Sequence, residues 1–106
     1  MNLTVGQQYN KKDDFGITGI VQQWSEVTVE GELFTFFSIF ERFDNKKEED
    51  GFVYEGRAPY TLIPDNKKAD IHRHVFIKEE RGSYWTYLGK GKYEVRYDEK
   101  HNKIFW

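Results

Sequence analysis

A chain of 106 residues and 12.7 kDa, with a net charge of −2, is the size of a single domain, 1–106. Charged residues make up 32% and the mean hydropathy is −0.83, but nine Phe, seven Tyr and three Trp supply enough buriable area for a real core and argue against disorder. The absence of cysteine excludes disulfides, thiolate metal sites and thiol nucleophiles, and no apolar run reaches the roughly 20 residues of a membrane span. The opening residues Met1–Gln7 lack the basic and apolar regions of a signal peptide, so a cytoplasmic location is expected.

Leu3-Thr4-Val5 reads as a short edge strand. Asn10-Lys11-Lys12-Asp13 then has the form of a helix N-cap with an acid three residues on, and Gly16 is placed to end that helix after little more than one turn. The clearest β signal follows over residues 17–43. Ile17, Ile20, Val21, Trp24, Val27 and Val29 favour a strand, Glu30-Gly31-Glu32 a turn, and Leu33–Phe40 a second dense strand, which together predict a long hairpin. The all-polar run Asp44–Asp50 reads as a solvated loop and Phe52–Gly56 as a short strand. Pro59 and Pro64 give residues 57–64 an extended, irregular path, and Asp65 or Asn66 can cap a short helix over 67–70. Arg73–Lys78 and Tyr84–Leu88 form a hairpin about Arg81-Gly82-Ser83, Tyr93–Tyr97 alternates as a further strand, and Ile104–Trp106 pairs at an edge. Five to seven strands with one or two short helices predict a mainly β, α+β fold, a small twisted sheet or partly open barrel.

Two stretches carry a family likeness. Asp50-Gly51-Phe52-Val53-Tyr54-Glu55-Gly56, followed by Asn66 and Ala69, and His74-Val75-Phe76-Ile77, followed by Tyr84-Trp85-Thr86-Tyr87-Leu88-Gly89-Lys90-Gly91, occur in this order. The arrangement resembles the modified-DNA-reading domains beside HNH nucleases in modification-dependent restriction systems, including sulfur-recognising ones. Gly6-Gln7-Gln8-Tyr9-Asn10-Lys11-Lys12-Asp13 is similar to the opening of a domain that trails some bacterial helicases. More distant relatives would be the SRA and PUA-like barrels. The resemblance implies a PUA/SRA-like fold and a nucleic-acid role in a bacterial, phage or mobile-element context. Arg57-Ala58-Pro59-Tyr60 departs from the Gly-Gln and acid-Gln continuation of the restriction readers, so the family's ligand pocket does not carry over. The resemblance places the ligand on the connection between the Tyr54 and Val75 strands, and hence at Arg57, Tyr60, Lys67, Lys68 and Arg73.

The chemistry of those residues admits that role and a plainer one. A guanidinium at Arg57 fits phosphate or a guanine edge and Tyr60 can stack on a base, yet the same pair can bond an Asp and cover the core. Lys67, Lys68, Arg73, Lys78, Arg81, Lys90, Lys92 and Arg96 are interleaved with Tyr84, Trp85, Tyr87, Tyr93 and Tyr97, as in base-binding sheets, but on a strand Trp85 and Tyr87 face opposite to Tyr84, Thr86 and Leu88. One set must pack inside. His72 and His74 share a face if both lie on a strand, and with Asp70 they make an incomplete metal set, so we expect no metal and no cofactor. No catalytic constellation is present, and the chain reads as a binding module rather than an enzyme.

Charge leaves a second reading open. Residues 1–50 carry five Lys/Arg against ten Asp/Glu, and residues 51–106 eleven against eight. The acidic first half suits a protein-binding module, inhibitor-like or antitoxin-like, that meets a basic partner. A monomer or a homodimer with Phe36, Phe37 and Trp106 under its interface are both compatible with the sequence.

Overall fold

The computed structural model describes residues 2–40, 45–55 and 72–106, with side chains for all of these but 93–96. The first element is a three-residue strand, β1 (Gln8–Asn10), which runs directly into a one-turn helix, α1 (Lys11–Phe15). The predicted cap forms: the Asn10 side chain accepts from the Lys12 and Asp13 backbone N–H groups, and Gly16 ends the turn in the left-handed conformation at φ 67°. The reciprocal bond of the capping box comes from Asp14, whose carboxylate accepts the Asn10 N–H at 2.6 Å.

The expected long hairpin over 17–43 is shorter than predicted. Residues Gly19–Gln23 form a 3-10 turn, and among the described residues of this stretch only β2 (Glu26–Val29) and β3 (Glu32–Ser38) are strands. Ile17 is buried, but Ile20 and Trp24 are exposed, so this segment never alternates as a half-buried strand must. The turn falls where it was predicted, with Glu30 and Gly31 both at positive φ (50° and 79°), as a tight two-residue hairpin demands.

The remaining elements are β4 (Lys46–Glu48), β5 (Gly51–Glu55), β6 (Arg73–Lys78), β7 (Tyr84–Gly91), β8 (Tyr93–Arg96) and β9 (His101–Phe105). Three expectations are corrected here. Leu3–Val5 is not a strand. The polar run over 44–50 holds β4, an edge strand of two lysines and a glutamate, a composition that blunts an unpaired edge. The last strand, β9, lies between β5 and β8 rather than at an edge. The connection 57–64 and the helix expected at 67–70 lie outside the described residues.

Nine strands among the described residues make the fold mainly β, in two sheets. A five-stranded sheet of order β1-β7-β6-β3-β2 curls strongly into an open half-barrel, and a four-stranded sheet of order β4-β5-β9-β8 is the second layer. Within the larger sheet β3 and β6 are parallel, with Phe34 opposite His74 and Phe36 opposite Phe76. A parallel pair needs a long crossover, and here that crossover contains the β4–β5 hairpin of the second sheet. Parallel central strands are covered on both faces, which explains why Leu33–Phe37 and His74–Ile77 are apolar at all but Thr35 and His74 instead of alternating.

Each face of the larger sheet has its own core. Tyr9, Ile17, Phe34, Phe36, Phe76 and Tyr87 pack on one side, with Phe15 of α1 and Trp85 against them. Val75, Ile77 and Leu88 pack on the other side against Phe52, Tyr54 and Ile104 of the second sheet. The alternation along β7 is therefore as the sequence predicts, with Trp85 and Tyr87 in the first core and Leu88 in the second, while Tyr84 is exposed. Phe36 and Phe37 go to opposite cores, and Phe37 and Trp106 pack half-buried against the second. The two layers meet so closely at Gly91 that a Cβ there would collide with the Ile104 side chain.

A candidate cationic cleft beside Trp85

The N-cap fixes where Lys11 points. As the first residue of α1 it lies over the first core, and its stem is buried to 7% exposure. Its ammonium donates to the Gln22 carbonyl at 2.9 Å and the Trp24 carbonyl at 3.2 Å, at the end of the 3-10 turn where carbonyls lack helical partners. The same nitrogen lies 4.3 Å from the Phe36 ring centroid and 4.7 Å from that of Trp85. Lys78, the last residue of β6, approaches Trp85 as well, with its ammonium 4.3 Å from the ring centroid and bonded to the Gly82 carbonyl in the β6–β7 turn. Two cations thus share one indole. Burial, and then the charge of Lys78, lowers the Lys11 amine from its ordinary value to about 8.

These groups line an open depression of about 500 Å³, whose rim includes Lys12, Asp13, Gln22 and Ser83. The Asn10 side-chain amide donates to the Ser83 carbonyl and ties the start of α1 to the β6–β7 turn. A second depression of about 410 Å³ lies on the other side of that turn, lined by Arg81, Tyr84 and Thr86 but also by Glu79 and Glu80. Ammonium donors around a half-buried indole suit an anionic, planar ligand.

A second cluster is built on β6. His74 Nε2 lies 2.8 Å from the Glu32 carboxylate, and Nδ1 lies 2.8 Å from the Tyr87 hydroxyl. With Nε2–H donating to the carboxylate, a neutral His74 accepts the Tyr87 O–H at Nδ1. The hydrogen bond from His74 holds the Glu32 carboxyl below its usual range, and Lys90 lies 3.6 Å from the same carboxylate. The order carboxylate–imidazole–hydroxyl has the outline of a relay to a nucleophile, but burial, and then the Glu32 charge, pushes the Tyr87 phenol up to about 12. The three groups form one hydrogen-bonded network.

Of the residues expected at a nucleic-acid site, Arg57, Tyr60, Lys67 and Lys68 lie outside the described residues. Arg73 is buried at 3% exposure and ion-paired with Glu26 of the edge strand β2, across β3. His72 is exposed just before β6 while His74 is in the core, so the two imidazoles do not converge. Among the described residues no three His, Cys, Asp or Glu side chains gather as a metal site would require, and no helix is long and apolar enough to cross a membrane. Lys78 and Trp85 belong to the basic and aromatic series read from the sequence. Lys11 and Lys12 do not, because their place in a helix cap accounted for them; only tertiary contact brings α1 to β7.

Ion pairs also relate the two halves of the chain. Glu26 pairs with Arg73, Glu32 with His74 and Lys90, and Glu48 and Asp50 with Lys103. Acids of the first half are thus matched by cations of the second. Compared with known proteins, the chain matches no family model, no curated protein and no solved structure.

Proposed function

We propose that this domain is a nucleic-acid-binding module that takes phosphates at the ammonium groups around Trp85. The observation that carries the reading is the convergence of Lys11, Lys12 and Lys78 on one depression walled by an indole. Cations that track a backbone beside an aromatic wall are the common means of binding single strands without strong sequence preference. The order of motifs in 50–91 adds the finer reading, a reader of modified DNA in a bacterial, phage or mobile-element restriction context, acting in the cytoplasm, with Arg57, Tyr60, Lys67 and Lys68 extending the surface.

The alternative, a module whose acidic first half meets a basic partner, draws less support. Four of those acids already face cations of the second half, and acids so neutralised project little field toward a partner. Fluorescence anisotropy with single- and double-stranded oligonucleotides at about 50 mM salt, where phosphate contacts are weakly screened, tests the choice. Binding is expected, with Lys12→Ala and Lys78→Ala each lowering the salt slope for single strands by about 0.7. No binding at high micromolar protein would remove the nucleic-acid reading and favour the protein partner.

A further inference from the structure

We infer that the second depression, across the β6–β7 turn from the Trp85 cleft, is a base pocket selective for guanine, which stacks on Tyr84 while Arg81 and the Glu79 and Glu80 carboxylates read its edge. The inference rests on the nucleic-acid reading and adds to it a base and the residues that choose it. Its basis is the placement of the two depressions. Gly82 and Ser83 line both, with Lys12 and Lys78 on the Trp85 side and Arg81 and Tyr84 on the other. A single strand with a phosphate at Lys12 and Lys78 therefore has only to cross the tip of one hairpin to lay a neighbouring base in the second depression.

That depression offers a free ring. Tyr84 shares its face of β7 with Thr86 and not with Trp85, and at the end of the strand it extends past both cores and is 58% exposed. Among the described residues its ring packs on no other aromatic, in contrast to the rings of the first core, which stack on one another. The surrounding volume of about 410 Å³ lies in the range of small-ligand clefts. An exposed ring at the mouth of such a cleft is a stacking platform for a base.

The charges around the ring select which base. Glu79 and Glu80 are exposed and only accept hydrogen bonds, while Arg81 is exposed, only donates, and makes no ion pair among the described residues. Two carboxylates count against a phosphate in this depression and in favour of a donor-bearing base edge. Guanine carries two adjacent acceptors, O6 and N7, which a guanidinium takes as a fork. Its N1–H and 2-amino group are two adjacent donors, which one carboxylate takes together. Adenine and cytosine set a ring acceptor beside their single amine, and thymine flanks its one N–H with two carbonyls. Each of these three turns a lone pair toward the carboxylate, so guanine fits and the others do not.

The test uses the whole chain with a short fluorescent oligothymidylate whose central base is replaced in turn by guanine, hypoxanthine, adenine or cytosine, read by anisotropy at about 50 mM salt. The guanine strand should bind about tenfold tighter than the all-thymine strand, the size of one good bidentate contact. Hypoxanthine, which lacks only the 2-amino group, should lose most of that gain. Tyr84→Leu should weaken the guanine strand about tenfold. Glu79→Gln combined with Glu80→Gln should erase the guanine preference and at the same time tighten the all-thymine strand, because two charges that repel phosphate are gone; a folding defect would weaken both. Lys78→Ala should weaken every strand alike and leave the preference unchanged. Equal affinity for all the strands overturns the base pocket while the phosphate cleft stands, and no binding of any strand overturns both.

Discussion

Lys11 makes stability depend on pH in the alkaline range. Its amine falls from 10.5 in the unfolded chain to about 8 in the fold. A folded-state value below the unfolded one means that the native protein binds this proton more weakly. The penalty is then complete below pH 8 and is relieved as the pH rises from 8 to 10.5. At 1.36 kcal/mol per unit the relief amounts to at most about 3 kcal/mol. Replacing the residue removes the titration: in Lys11→Met the stem still fills the space over Phe36, and no charge is buried. At neutral pH the loss of two charge-assisted bonds to the Gln22 and Trp24 carbonyls, about 1.5–3 kcal/mol each, opposes the relieved desolvation, so the net change should be small. The assay is urea unfolding followed by tryptophan fluorescence at a series of pH values for both proteins. The difference in stability between them should shift in favour of the parent chain by about 2–3 kcal/mol between pH 8 and 10.5. A constant difference across that window would refute the assignment of a desolvated ammonium.

Three other outcomes are expected. The Glu32 carboxyl is held below its ordinary value of 4.5 by His74, so its contribution is present above that pH and lost as the pH falls through the folded value; Glu32→Gln should flatten the acid limb of a melting-temperature profile. Gly91→Ala forces a methyl group into Ile104 and should cost about 1–3 kcal/mol in chemical unfolding. Glu30 has a positive φ of 50° in a two-residue hairpin turn, so Glu30→Asn should raise stability by up to about 1 kcal/mol, measured in the same way.

Local rules made the cap and the central strands legible. Asn10 and Gly16 announce α1 because capping is decided within a few residues, and Leu33–Phe37 announces β3 because a strand buried on both faces is apolar on both, here at every position but Thr35. Composition misleads where tertiary placement overrides it. Ile20, Val21 and Trp24 have strand-favouring side chains but sit in or beside a 3-10 turn, where Ile20 is 73% exposed. Lys46–Glu48 looks like solvated loop because a charged edge strand carries no apolar signature, and β9 hides its central place because Asn102 and Lys103 are buried polar residues. The Lys103 ammonium explains how: it pairs with Glu48 and Asp50 and lies 5.0 Å from the Phe105 ring. The cleft itself was only half readable. Lys78 and Trp85 stand in a visible basic and aromatic series, while Lys11 reaches them across the fold, from a helix whose N-cap aims its side chain at β7.

The binding account is tested most directly by titrating the isotope-labelled protein with a short single-stranded oligonucleotide at low salt and following amide and indole N–H resonances. The account predicts that the largest shifts fall on the Trp85 indole and on the backbone of Lys12, Lys78, Gly82 and Ser83, and that they collapse as salt is raised. Shifts confined to other surfaces, or a spectrum unchanged at saturating oligonucleotide, would contradict it.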